Sequence, residues 1–133
     1  TLDAAQMVAE SGGVHPRIFS IDGSHTAEHT EADMHTAAGT ICEGGVVMVD
    51  DYFAEGWPGV SEGVHTFMLT QSATNSVRSA SGTTASGTPR IVPFFVGFNK
   101  VLFTGEEFSG TYQDALMSNQ HLIGDGTMKV KMQ

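Results

Sequence analysis

Gly44-Gly45-Val46-Val47-Met48-Val49-Asp50-Asp51-Tyr52 is the stretch on which the fold turns. Its four consecutive apolar residues are too few for a helix and lack the polar alternation of a half-solvated strand. Such a run reads as a central strand covered on both faces. It stops in two carboxylates. Upstream, Arg17 to Ile21 is a second short apolar run, bounded by Pro16 and by Asp22-Gly23, and reads as another buried strand. From His25 to about Ile41 the period changes to that of a helix: Thr30, Met34, Ala37, Ala38 and Ile41 share one stripe, and Glu43-Gly44-Gly45 stops it. A strand, a helix and a second strand predict a parallel pair joined by a right-handed crossover.

The same reading extends outward. Leu2 to Glu10 is a short helix ended by Ser11-Gly12-Gly13. Trp57-Pro58-Gly59 opens a third helix, with Val60, Val64, Phe67 and Met68 on its apolar face. Ser72 to Pro89 is rich in Ser, Thr, Ala and Gly and reads as a flexible loop over 72–89. Beyond it, Ile91 to Val96 and Val101 to Thr104 form a hairpin around Gly97-Phe98-Asn99-Lys100, with Gly97 and Asn99 as the turn residues. Glu106 to Ser118 is a last helix, and Thr127 to Met132 alternates like a short edge strand. The sum is an α/β chain.

Composition narrows the chemistry. A chain of 133 residues is one domain by size, and a hydrophobic fraction of 40% supports a core. Fifteen acidic against six basic residues give a net charge of −9. That balance argues against a nucleic-acid groove or an anionic membrane surface as partner. The single cysteine, Cys42, excludes an internal disulfide and a cysteine-based zinc site. No apolar run approaches the roughly 20 residues that span a bilayer, and the expected location is cytoplasmic.

In open parallel sheets, ligands collect beyond the carboxyl ends of the strands. Both strands of the expected pair end in acid: Asp22 after the first, Asp50 and Asp51 after the second. Neighbouring strands lie about 4.8 Å apart, so these carboxylates can reach one hard cation of the Mg²⁺ type. The plainer reading, that each Asp caps the turn after its strand, stands beside it. His25, three residues past Asp22, is placed to act as a general base. His25, His29 and Asp33 also recur at a spacing that would place them on one helical face, a weaker zinc pattern. Tyr52 and Trp57 follow the acidic pair and are candidates for the wall of a substrate pocket, although Trp57 equally suits a packing role at the start of its helix. Asn99 and Lys100 read as turn chemistry.

These motifs resemble those of class I S-adenosylmethionine-dependent methyltransferases. Ile18-Phe19-Ser20-Ile21-Asp22-Gly23-Ser24-His25 looks like the fourth-strand motif of that fold, and Gly44 to Tyr52 like the fifth-strand motif. Trp57-Pro58-Gly59-Val60 is similar to the start of the helix that follows, and Val92 to Phe103 resembles the closing antiparallel pair. Within that fold the motifs look like those of the macrocin O-methyltransferase-like enzymes, which act on small hydroxylated substrates. The resemblance implies the C-terminal half of a Rossmann-like fold, strands four to seven, with Thr1 marking a cut inside a longer fold. It implies Asp22, Asp50 and Asp51 as ligands of Mg²⁺ or a similar cation, and Asp22, Gly23 and Ser24 at the S-adenosylmethionine site. His25 stands where catechol-type relatives carry a lysine base. The sequence has no apolar strand leading into a glycine-rich loop, so half of the cofactor site is missing from it. Three functions follow: an O-methyltransferase seen in part, a half-fold that serves as an interaction module, or a metal-dependent hydrolase. Strand 17–21 would also be an open edge, and the expected remedy is pairing with a second copy in a homodimer or higher oligomer.

Overall fold

A computed structural model describes residues 4–74 and 89–123. The elements are α1 (Ala4–Glu10), β1 (Ile18–Ile21), α2 (Ala27–Thr40), β2 (Val46–Val49), α3 (Pro58–Thr74), β3 (Ile91–Gly97), β4 (Lys100–Gly105), a 3-10 turn (Glu106–Phe108), α4 (Ser109–Ser118) and α5 (Gln120–Ile123). The fold is mixed α/β with one four-stranded sheet in the order β1-β2-β4-β3. β1 and β2 are parallel, with Ile21 opposite Val49. β4 inserts between β2 and β3 and is antiparallel to both, with Val49 opposite Val101.

The expected helical stripe is the buried face of α2: Thr30, Met34, Ala37, Ala38 and Ile41 are all buried. Val60, Val64 and Phe67 of α3 join them against Ile21, Val47, Val49, Val101 and Phe103 of the sheet. Removing each of these larger side chains from water stabilises the fold by roughly 1.5–3 kcal/mol before entropy is counted. β2 is central, as its composition predicts, but full cover is confined to one face. Val47 and Val49 are buried, while Val46 and Met48 are only half-buried. The reason is that α2 and α3 pack on the first face, whereas α4 lies against β3 and β4 on the other, where Tyr112 stacks on Phe94.

Two glycines set how closely α3 approaches α2. A β-carbon at Gly59 would lie 2.6 Å from the His25 carbonyl oxygen, and one at Gly63 would lie 2.5 Å from that of Ala27. Both obstacles are backbone, so the first two turns of α3 lean directly on the start of α2. The N-terminus of α2 is capped by Thr26, whose hydroxyl accepts the His29 N–H.

The two outer strands differ. At β3, the Gln71 side chain donates to the Ile91 carbonyl and accepts the Ile91 N–H, both at 3.0 Å. Two residues on, Pro93 has no N–H to offer, and the register shifts between Pro93 and Phe95. These devices blunt an edge against further pairing. At β1, the carbonyls of Arg17 and Ile21 turn inward to Val46 and Asp50. By the alternation of a parallel ladder, the peptide groups of Ile18 and Ser20 then face outward. No strand among the described residues pairs with them, and the Ile18 side chain is 71% exposed.

Helix α3 runs to Thr74, three residues into the loop expected over 72–89. Residues 75–88 and the tail expected as an edge strand lie outside the described residues. Among the described residues, no helix is long and apolar enough to cross a membrane.

Candidate functional site

The carboxyl ends of β1 and β2 meet on one side of the sheet, which brings Asp22 and the Asp50-Asp51 pair to one place. The two neighbouring aspartates part company there. Asp51 takes a left-handed backbone, with φ of 56°. Its Oδ2 accepts a hydrogen bond from His25 Nε2 at 3.1 Å. A carboxylate only accepts, so in this contact Nε2 carries the proton. The same nitrogen lies 3.6 Å from Asp22 Oδ1. One ligand atom from each of Asp22, His25 and Asp51 falls within 4.8 Å of the other two, a set that could hold a metal ion if the imidazole nitrogen it uses gives up its proton.

Asp50 is engaged elsewhere. Because Val49 faces Val101 across the antiparallel ladder, Asp50 comes opposite Lys100. The Lys100 ammonium is hydrogen-bonded to Asp50 Oδ2, and Asp50 Oδ1 accepts the Asp51 N–H at 2.8 Å. These two partners hold the Asp50 carboxyl below the usual carboxylate range, the lysine foremost. The trio expected from sequence, Asp22, Asp50 and Asp51, is therefore not the trio that converges. His25 takes the place of Asp50, whose charge is met by a cation of the chain itself.

His25 also has a left-handed backbone, with φ of 58°. It lies before the first turn of α2, so it does not share a helical face with His29 and Asp33. The weaker zinc pattern dissolves for that reason, and the His29 ring is hydrogen-bonded to the Thr26 hydroxyl. A left-handed backbone costs a non-glycine residue roughly 1–2 kcal/mol, and such residues concentrate at functional sites. The close seat of Gly59 against the His25 carbonyl oxygen contributes to holding this conformation.

Trp57 stacks on the His25 ring, with centroids 4.8 Å apart and planes inclined by 25°. It remains 50% exposed, so it both steadies the imidazole and presents an aromatic face to solvent. Tyr52 is tied to α3: its ring packs against the core and its hydroxyl meets His65 Nε2 at 3.3 Å. Burial pushes the Tyr52 phenol above its ordinary range. The neighbouring Phe53 ring packs edge-on against Tyr52 and is 57% exposed. Gly23 and Ser24 lie exposed between Asp22 and His25.

Asn99, read from sequence as turn chemistry, belongs to the site. Gly97 pairs with Lys100, leaving Phe98 and Asn99 as the two turn residues, with φ of 51° and 60°. Both are left-handed, as the tight hairpin turn matching strand twist requires. The turn falls over Gly97 to Lys100 as expected, and the left-handed residue beside Asn99 is Phe98 rather than Gly97. The Asn99 amide donates to Asp51 Oδ1 at 2.8 Å, and its side-chain oxygen accepts the Phe53 N–H at 2.7 Å. Its carbonyl accepts the Tyr52 N–H at 3.0 Å.

No protein-family model matches the chain, and no curated protein is significantly similar to it.

Proposed function

We propose that this chain supplies the metal- and acceptor-binding part of an S-adenosylmethionine-dependent O-methyltransferase of a small hydroxylated substrate. The observation that carries this reading is the convergence of Asp22, His25 and Asp51 at the ends of two parallel strands. The residues sit in the Asp-Gly-x-His and Gly-Gly…Asp-Asp motifs on which the resemblance rests. Two carboxylates beside an imidazole fit a divalent cation that takes its remaining ligands from water and substrate. Such a cation, when bound, lowers the pKa of an acceptor hydroxyl.

The chain's own residues have separate tasks in this reading. Asp22 and Asp51 hold the cation. His25 accepts the proton of the acceptor hydroxyl, with its ring fixed by Trp57 on one side and by Asp51 at Nε2. With the proton on Nε2, the lone pair that does this work is on Nδ1. Trp57 and Phe53 offer exposed aromatic surface for the apolar body of an acceptor. Asp22, Gly23 and Ser24 are the residues the resemblance assigns to S-adenosylmethionine. Among the described residues no glycine-rich loop lies beside them, so this chain is expected to bind that cofactor weakly, and no step is derived through it.

The test is a titration of Mn²⁺ and Mg²⁺ into the wild type and Asp22→Asn, followed by 4-nitrocatechol as a chromophoric acceptor. The wild type should bind the cation more tightly than the variant. The nitrocatechol spectrum should change only when protein and cation are both present. Equal affinities, or a spectrum indifferent to the cation, would remove this reading.

One observation favours a second reading, an interaction module. β3 is guarded by Gln71 and Pro93, while no strand among the described residues pairs with the outer side of β1. That asymmetry supports pairing of β1 with a second copy of the chain in a homodimer.

A further inference from the structure

We propose that Asn99 is a positioning residue for the cation site: it ties down one oxygen of Asp51 so that the other faces His25 and Asp22. The inference rests on the metal reading above and adds a residue 48 positions beyond Asp51 in the chain. Every polar group of the Asn99 side chain is used. The Phe53 N–H can only donate, so the side-chain atom it meets at 2.7 Å is the oxygen. The amide nitrogen is thereby left for Asp51 Oδ1, at 2.8 Å. With the backbone bond to Tyr52, one turn residue holds three consecutive residues that follow β2. Only Oδ2 of Asp51 then remains outside the grip of Asn99, and it is the atom that meets His25.

Residue type matters here. Asparagine tolerates the left-handed backbone that this turn demands, and it carries a donor and an acceptor on one short arm. Aspartate would keep the acceptor and lose the donor. Glycine would keep the turn and lose both. The adjacent Lys100 acts on the other aspartate, drawing Asp50 to itself. The two-residue turn and the lysine after it thus sort two chemically identical side chains into different roles. A carboxylate held by a second partner enters a metal site already oriented, and loss of such a partner typically costs about 10- to 100-fold in metal affinity.

The experiment measures Mn²⁺ affinity by calorimetry, and by the loss of the free-ion signal in electron paramagnetic resonance, for the wild type, Asn99→Gly and Lys100→Met. Glycine is readily accepted at a left-handed hairpin position, so Asn99→Gly should fold, and circular dichroism melting verifies this for both variants. Asn99→Gly should weaken Mn²⁺ binding by about 10- to 100-fold. Lys100→Met should bind at least as tightly as the wild type, since it removes a competing cation and frees Asp50. Unchanged affinity in Asn99→Gly overturns the inference and leaves the metal reading intact. Equal weakening in both variants reduces Asn99 to a structural residue and overturns it as well. A wild type that binds no Mn²⁺ removes the metal reading, and the inference falls with it.

Discussion

The contact between α2 and α3 makes one substitution act with opposite signs at two places. Gly63 lies inside α3, where alanine would ordinarily gain about 1 kcal/mol of helix propensity. Its β-carbon, however, would stand 2.5 Å from the Ala27 carbonyl oxygen and 2.7 Å from Thr30 Cβ. That is about 1 Å inside the roughly 3.5 Å at which such contacts become attractive. The nearest obstacle is backbone, so no rotamer change relieves it and the helices must part. Overpacking of this kind costs about 1–3 kcal/mol, and a main-chain obstacle belongs toward the upper end. The expected net effect of Gly63→Ala is a loss of about 1–2 kcal/mol. At Gly110 in α4, a β-carbon would meet nothing within 4 Å. Gly110→Ala should therefore stabilise by about 0.5–1 kcal/mol. Urea unfolding followed by far-ultraviolet circular dichroism, at unchanged m-value, measures both. The midpoints should move in opposite directions from the wild type. A Gly63→Ala midpoint raised alongside that of Gly110→Ala would refute the close-approach argument.

Three further outcomes follow from the same contacts. The folded-state pKa of Asp50 lies below its ordinary 3.8, so its pairing with Lys100 stabilises the fold above that pH and is lost as pH falls through the folded value. Urea midpoints measured from neutral pH to pH 2 should thus fall more steeply for the wild type than for Lys100→Met, and parallel curves would contradict the pairing. Gln71→Ala leaves the Ile91 N–H and carbonyl without their side-chain partners and should destabilise by about 1–3 kcal/mol, with faster hydrogen exchange at the Ile91 amide; unchanged exchange would count against the clamp. If β1 pairs with a second copy, Ser20→Pro removes an outward N–H without touching the β1–β2 ladder and should convert a dimer to a monomer in light scattering, whereas a wild type that is already monomeric would end that proposal.

Much of the framework was legible because it depends on local pattern. The stripe from Thr30 to Ile41 and the apolar run from Val46 to Val49 each declare an element and a buried face within a few residues. The parallel pair follows from their spacing, and with it the meeting of Asp22 and Asp51. What could not be read is the division of labour between Asp50 and Asp51. They are adjacent and identical in type, and what separates them is a register set by residues 48 and 50 positions further along the chain. Asn99 and Lys100 were legible as a turn because turn chemistry is local. Their grip on residues 50–53 is a consequence of β4 inserting beside β2, which the order of elements in the chain does not announce. The signal that could have found them is positional: a hairpin antiparallel to the Asp-terminated strand puts its turn beside that strand's carboxyl end. The partial cover of one face of β2 is silent in the sequence for a related reason, since an unbroken apolar run does not say how far a helix reaches across each face.

The stacking of Trp57 on His25 also gives the protein a built-in optical probe. The chain has a single tryptophan, so emission excited selectively in tryptophan comes from one indole, stacked on the imidazole beside Asp22 and Asp51. Any ion or small molecule that displaces that imidazole alters the surroundings of the fluorophore directly. Binding at this cluster can thus be followed without a label, in the native polypeptide and at concentrations far below those that calorimetry needs.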